Sequence, residues 1–107
     1  MVTPHEYVIH KLKEAHNLQT TGFKKALKVV EGNFKWLKVI PDCYSISNGL
    51  VLVYEVEDTH RVSYDKLMTY ARLWKELDAV EWELRLVIVD IRGGRLEPDL
   101  AIVYYHG

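Results

Sequence analysis

The chain has 107 residues, 14 Lys plus Arg against 15 Asp plus Glu, a formal charge of −1, and 49% hydrophobic residues. This length and composition describe one globular domain spanning 1–107 and exclude intrinsic disorder, which needs low hydrophobicity and high net charge. Cys43 is the only cysteine, so no intramolecular disulfide can form and a reducing, cytoplasmic home is expected. The first residues lack the basic-then-apolar pattern of a secretion signal, and no apolar run approaches the ~18 residues of a membrane helix.

Charge is unevenly distributed along the chain. Residues 1–41 carry seven Lys and three Glu, a balance of +4, whereas 42–107 carry a balance of −5. Lys24, Lys25, Lys28, Lys35 and Lys38 crowd together around Phe34 and Trp36, a pattern able to meet phosphates and to stack on a base. The plainer reading is a solvated helix face followed by an exposed strand edge.

Thr3 and Pro4 suit the N-cap and first turn of a helix whose apolar positions are Val8, Ile9, Leu12 and Ala15, ending near Asn17. Phe23, Ala26, Leu27 and Val30 recur at helical spacing up to a stop at Gly32; a strand over 23–30 is the alternative. Three strands are expected next, over 34–40, 42–47 and 50–57. Asn48-Gly49 joins the last two as a two-residue type I′ turn, which needs positive φ at both positions. That turn sets the register: Ser47 faces Leu50, and Asp42 lies opposite Glu55.

Ser63 caps a further helix with an expected buried stripe of Tyr64, Leu67, Met68, Ala71, Trp74 and Leu77. A strand over 82–91 follows, its run 86–89 buried on both faces, then a break at Gly93-Gly94 and a last strand over 100–105. Strands 50–57 and 84–91, separated by a helix, are expected to be parallel. The fold class is therefore α/β (α+β), a mixed central sheet flanked by helices.

Opposed carboxylates on paired strands repel one another. Glu57 lies two residues beyond Glu55, on the same strand face, and brings a third acid to that corner. A hard divalent cation, Mg²⁺ or Mn²⁺, is one remedy, and screening by water at a splayed strand end is the other.

Pro41-Asp42, followed thirteen residues later by Glu55-Val56-Glu57 on a strand before a helix, resembles the PD-(D/E)XK nuclease superfamily. Its motif is Pro-Asp, a hairpin, then acid, any residue, lysine, on a restriction-endonuclease-like αβββαβ core. The resemblance covers residues 4–91 and implies metal-assisted hydrolysis of a nucleic-acid backbone, most often DNA, frequently by a homodimer. It implies Asp42 and Glu55 as metal ligands, with the Val56 carbonyl completing the set. This sequence departs from the pattern at Glu57, which stands where the superfamily has lysine; a minority of restriction enzymes share the glutamate, which then serves as base or second-metal ligand. In other branches the basic residue has moved to the neighbouring helix, a position Lys66 or Arg72 would fill, and Lys66 with Tyr70 one turn on resembles the Gln-xxx-Tyr signature of the exonuclease branch. A further acid often comes from the preceding helix, here Glu14, Glu6 or Glu31. The alternative is a catalytically inactive binding or regulatory module that kept the fold.

Other patterns carry less. His5 and His10 are five residues apart and lie on different helix faces, so they do not form an HExxH zinc site. His60 is the only other histidine close to the acids in sequence. Pro98-Asp99 reads as a turn, Gly93-Gly94 lacks the context of a phosphate loop, Cys43 alternates to the face opposite Asp42, and Trp74, Trp82, Tyr104 and Tyr105 suit core.

Overall fold

A computed structural model describes residues 2–93 and the strand 99–103. Helix α1 spans Pro4–His16, α2 spans Phe23–Ala26 and runs into a 3₁₀ turn at Leu27–Val29, β1 is Cys43–Ser47, β2 is Leu50–Glu57, α3 is Tyr64–Asp78, β3 is Glu83–Asp90 and β4 is Asp99–Val103. The sheet order is β1-β2-β3-β4, with β2 and β3 parallel and the outer pairs antiparallel. The protein is thus α+β, with a mixed sheet flanked by helices.

The turn chemistry at Asn48-Gly49 organises one half of this sheet. Both residues have positive φ, 50° and 78°, as a type I′ turn requires. The register runs from Ser47↔Leu50 to Cys43↔Tyr54, and the Asp42 amide donates to the Tyr54 carbonyl at 3.1 Å. Asp42 therefore lies one residue outside β1 yet stays bound to β2.

Side chains alternate across β2 and divide the core in two. Val51 and Val53 join Tyr70, Leu73 and Leu77 of α3, together with Phe23, Leu27, Phe34 and Leu37. Tyr54 and Val56 face the opposite way, against Cys43, Leu18, Val87 and Val89, with Val8, Ile9 and Leu12 of α1 packed at the margin. Glu55 and Glu57 share the parity of Val53, so they extend the α3 face beyond its apolar part.

Three sequence expectations are corrected. Residues 34–40 form no strand, so the αβββαβ order loses its first strand: Asn33 Oδ1 accepts from the Lys35 amide, the Leu37 amide donates to the Phe34 carbonyl, and Phe34 and Leu37 are buried three residues apart. A period of three belongs to a turn and does not suit a pleat. The helix over 23–30 is only four residues long before it tightens: Gly22, at φ 72°, supplies no side-chain cap, and β-branched Val30 is already extended. Gly32, at φ 149°, comes after that ending and lies under Phe34, whose ring would be 3.1 Å from a Cβ there.

The stripe of α3 is also rotated from its expected position. Tyr70, Leu73 and Leu77 are buried and Leu67 and Trp74 half-buried, whereas Tyr64 and Met68 are 74% and 50% exposed. The expected last strand agrees with β4 over 100–103; Gly94, Pro98, Tyr104 and Tyr105 lie outside the described residues. Among the described residues, no helix is long and apolar enough to cross a membrane.

Candidate functional site

Three elements meet where β2 ends. The hairpin brings Asp42 beside β2, β2 contributes Glu55 and Glu57, and the first two turns of α3 lie over that end. Ser63 Oγ accepts from the Lys66 amide and starts the helix, which points Lys66 and Tyr70, one turn apart, at the same acid.

Glu55 is the centre of this arrangement. Its carboxylate is buried, and both oxygens are engaged: Lys66 Nζ lies 2.6 Å from Oε1, and the Tyr70 hydroxyl donates to Oε2 at 2.5 Å. Burial raises the Glu55 pKa; the Lys66 and Tyr70 bonds oppose that rise, and the nearby charge of Asp42 adds to it. The like-charge pair expected from the register is therefore real, and its repulsion is offset by an internal ammonium and a phenol.

The other acids have partners too. Asp42 Oδ2 accepts from the Val56 amide at 2.7 Å and lies 3.4 Å from His5 Nε2, at the start of α1. Glu57 is not the third member of the cluster that its parity suggested: Oε2 accepts from the Val62 amide at 2.7 Å, which ties it to the loop leading into α3. Across the parallel pair Glu57 faces Asp90, whose carboxylate is held by the Arg92 guanidinium at 2.9 Å. Behind the site, burial with the charges of Asp42 and Glu55 pushes the Cys43 thiol up to about 12, so it is a packed, inert group.

Among the described residues there is no group of three or more His, Cys, Asp or Glu side chains arranged to hold a metal ion. Mg²⁺ commonly takes one or two carboxylates and completes its octahedron with water and substrate phosphates, and Asp42 and Glu55 keep lone pairs beyond the bonds described. Glu14 lies elsewhere, exposed and paired with His10 at 2.9 Å on the outer face of α1. Glu6, Glu31 and His60 are exposed. Arg72 turns away and stacks on Trp36 at 4.0 Å, so Lys66 alone of the two helix cations reaches the acids.

Five of the seven lysines of the first half line the surface beside this corner. Lys24, Lys25, Lys28 and Lys38 border a groove of about 740 Å³, and Lys24, Lys28 and Lys35 border a smaller hollow of about 360 Å³. A further groove, of about 670 Å³, contains Lys66, Trp36 and Arg72, and shares Lys38, Val39 and Ile40 with the first. The lysine-lined surface is thus continuous with the wall carrying Lys66. The aromatic interleaving is looser than the sequence suggests: Phe34 is buried and Trp36 half-buried.

Sequence reasoning missed His5, Asp90 and Arg92. His5 entered only as half of a rejected zinc motif, and Asp90 depends on the register of a parallel pair, which no short turn specifies. Compared with known protein families and with curated proteins, the chain matches none.

Proposed function

We propose that this protein is a metal-dependent nuclease of the PD-(D/E)XK type that hydrolyses a nucleic-acid backbone, with Asp42 and Glu55 as the acids of its site and Lys66 as the cation that the motif lacks at Glu57. One observation carries this reading: the helix-borne ammonium lies 2.6 Å from the buried carboxylate that the hairpin sets opposite Asp42. A Mg²⁺ or Mn²⁺ ion held by the two acids, with the Val56 carbonyl, would lower the pKa of a water and neutralise charge on the phosphoryl transition state. Lys66 opposes the rise that burial imposes on the Glu55 pKa and lines the groove by which a phosphate would approach. Tyr70 fixes the other Glu55 oxygen. Glu57, bound through Oε2 to the Val62 amide, supports the loop before α3 in this reading. DNA is the expected substrate, the lysine surface the expected contact, the cytoplasm the expected compartment and a homodimer the expected assembly.

Asp42→Asn and Glu55→Gln should each abolish Mg²⁺- or Mn²⁺-dependent cleavage of plasmid or oligonucleotide substrates and weaken Mn²⁺ binding by calorimetry. Lys66→Met should abolish cleavage while sparing some metal affinity. Undiminished cleavage by either acid variant sinks the assignment.

A second reading has its own support, because every acid of the site is already partnered within the protein. A non-catalytic module that kept the fold would show that closure. Nucleic-acid binding without cleavage of any DNA or RNA, in either metal, would select it.

A further inference from the structure

We propose that the joined grooves beside α3 form a track for an unpaired nucleic-acid strand, so that the site acts on single-stranded or frayed substrate in preference to intact duplex; this rests on the nucleic-acid reading above and names its substrate class. Two properties of the surface occur together. Its rim is cationic: Lys25, Lys28 and Lys38 are exposed, and none is in an ion pair among the described residues. It also exposes apolar side chains: Ile40 is 72% exposed and Met68 50% exposed, and they line the groove that contains Lys66, together with Asp65 and Thr69.

A duplex engages only the cationic part of such a surface. It presents phosphate and sugar, keeps its base faces stacked inside, and leaves Ile40 and Met68 against water. An unpaired strand presents both chemistries at once, because its phosphates meet the lysines while its base faces cover Ile40 and Met68. Trp36 adds a rigid aromatic element in the same groove, its ring held by the Arg72 guanidinium at 4.0 Å. The two grooves share Lys38, Val39 and Ile40, so a strand lying along the lysines continues directly to the wall bearing Lys66, whose ammonium lies 2.6 Å from the buried Glu55 carboxylate.

The test is fluorescence anisotropy with a labelled oligothymidylate of about twelve nucleotides, within the span of one single-strand site, against a duplex of the same length, across a salt series. The single strand should bind about tenfold more tightly than the duplex, and Ile40→Ser with Met68→Ser should remove about that factor while leaving duplex binding unchanged. Lys28→Ala or Lys38→Ala should reduce the salt slope by about 0.7 for each phosphate that is no longer neutralised. Circular dichroism and melting of the same samples confirm that these exposed substitutions leave the fold intact. Equal or tighter duplex binding, no single-strand binding, or an unchanged single-strand affinity in the Ile40/Met68 double variant overturns the inference. Cleavage separates the two claims: metal-dependent cutting of duplex without single-strand preference leaves the nuclease reading standing and removes this one, whereas tight single-strand binding without cutting leaves only the strand track standing and removes the nuclease reading together with the claim of action on that strand.

Discussion

Helices α1 and α3 start in the same manner and end up held very differently. Each has a hydroxyl N-cap, Thr3 accepting from the Glu6 amide and Ser63 from the Lys66 amide, and they run 13 and 15 residues. Yet α1 buries no residue fully, and its Val8, Ile9 and Leu12 only cover the margin of the smaller core. By contrast α3 buries Tyr70, Leu73 and Leu77 against β2 and β3. Local signals make a helix, whereas tertiary burial decides whether it is structural. The difference also divides the site: Lys66 and Tyr70 come from the firmly packed helix, His5 from the lightly packed one.

Core truncation should expose this contrast most strongly. Leu73→Ala or Leu77→Ala should cost about 2–5 kcal/mol in urea unfolding, and Ile9→Ala in α1 markedly less, because its site is already partly open to water. Comparable losses from both helices would break the comparison.

Removing Lys66 should come next. Lys66→Ala leaves the Glu55 carboxylate, 4% exposed, without its cation, for which about 3 kcal/mol is expected at neutral pH. Burial already raises the Glu55 pKa above its ordinary 4.5 in the intact protein, so the folded state binds a proton more tightly than the unfolded chain does. That contribution favours folding at low pH and is lost as pH rises through the raised value. The Lys66→Ala deficit should therefore shrink as pH falls toward that window, a trend melting curves at several pH values would show. A deficit independent of pH would place the loss in packing instead.

Tyr70→Phe should cost about 1–3 kcal/mol, since the ring remains and only the bond to Glu55 Oε2 is removed. Cap removal should be the mildest change. Thr3→Ala and Ser63→Ala each forfeit about 1 kcal/mol of local helix stability, but hydrogen exchange should quicken across much of α1 and only in the first turn of α3. Equal fraying would mean that α1 is held by contacts stronger than its burial indicates.

Much of the site is legible in the sequence. Asn48-Gly49 specifies the register that sets Asp42 opposite Glu55, and the four-residue step from Lys66 to Tyr70 indicates a shared target. Glu57 is less legible, because parity places a side chain on a face without saying which neighbour it binds, and here the Val62 amide takes its Oε2. Residues 34–40 mislead because apolar residues occur at both parities, so the strand pattern and the period of three at Phe34 and Leu37 are both present. The α3 stripe differs from its expected position because Tyr64 and Met68 look like core in composition, and only packing shows that Tyr70 and Leu73 take that place.

The bridge between Gln19 and Tyr44 carries one more consequence. The Gln19 amide donates to the Tyr44 carbonyl at 2.8 Å, the Tyr44 amide donates back at 2.9 Å, and the Tyr44 hydroxyl reaches the Thr21 carbonyl at 2.6 Å. The two amide bonds occupy the outward-facing main chain at Tyr44, the second residue of β1, the strand at one border of the sheet. A neighbouring strand seeking to extend the sheet there must first displace Gln19 and its loop, and only five residues of β1 would reward it. The segment 17–22 thus works as a selvedge, finishing the fabric on that side and directing any association between copies to other surfaces.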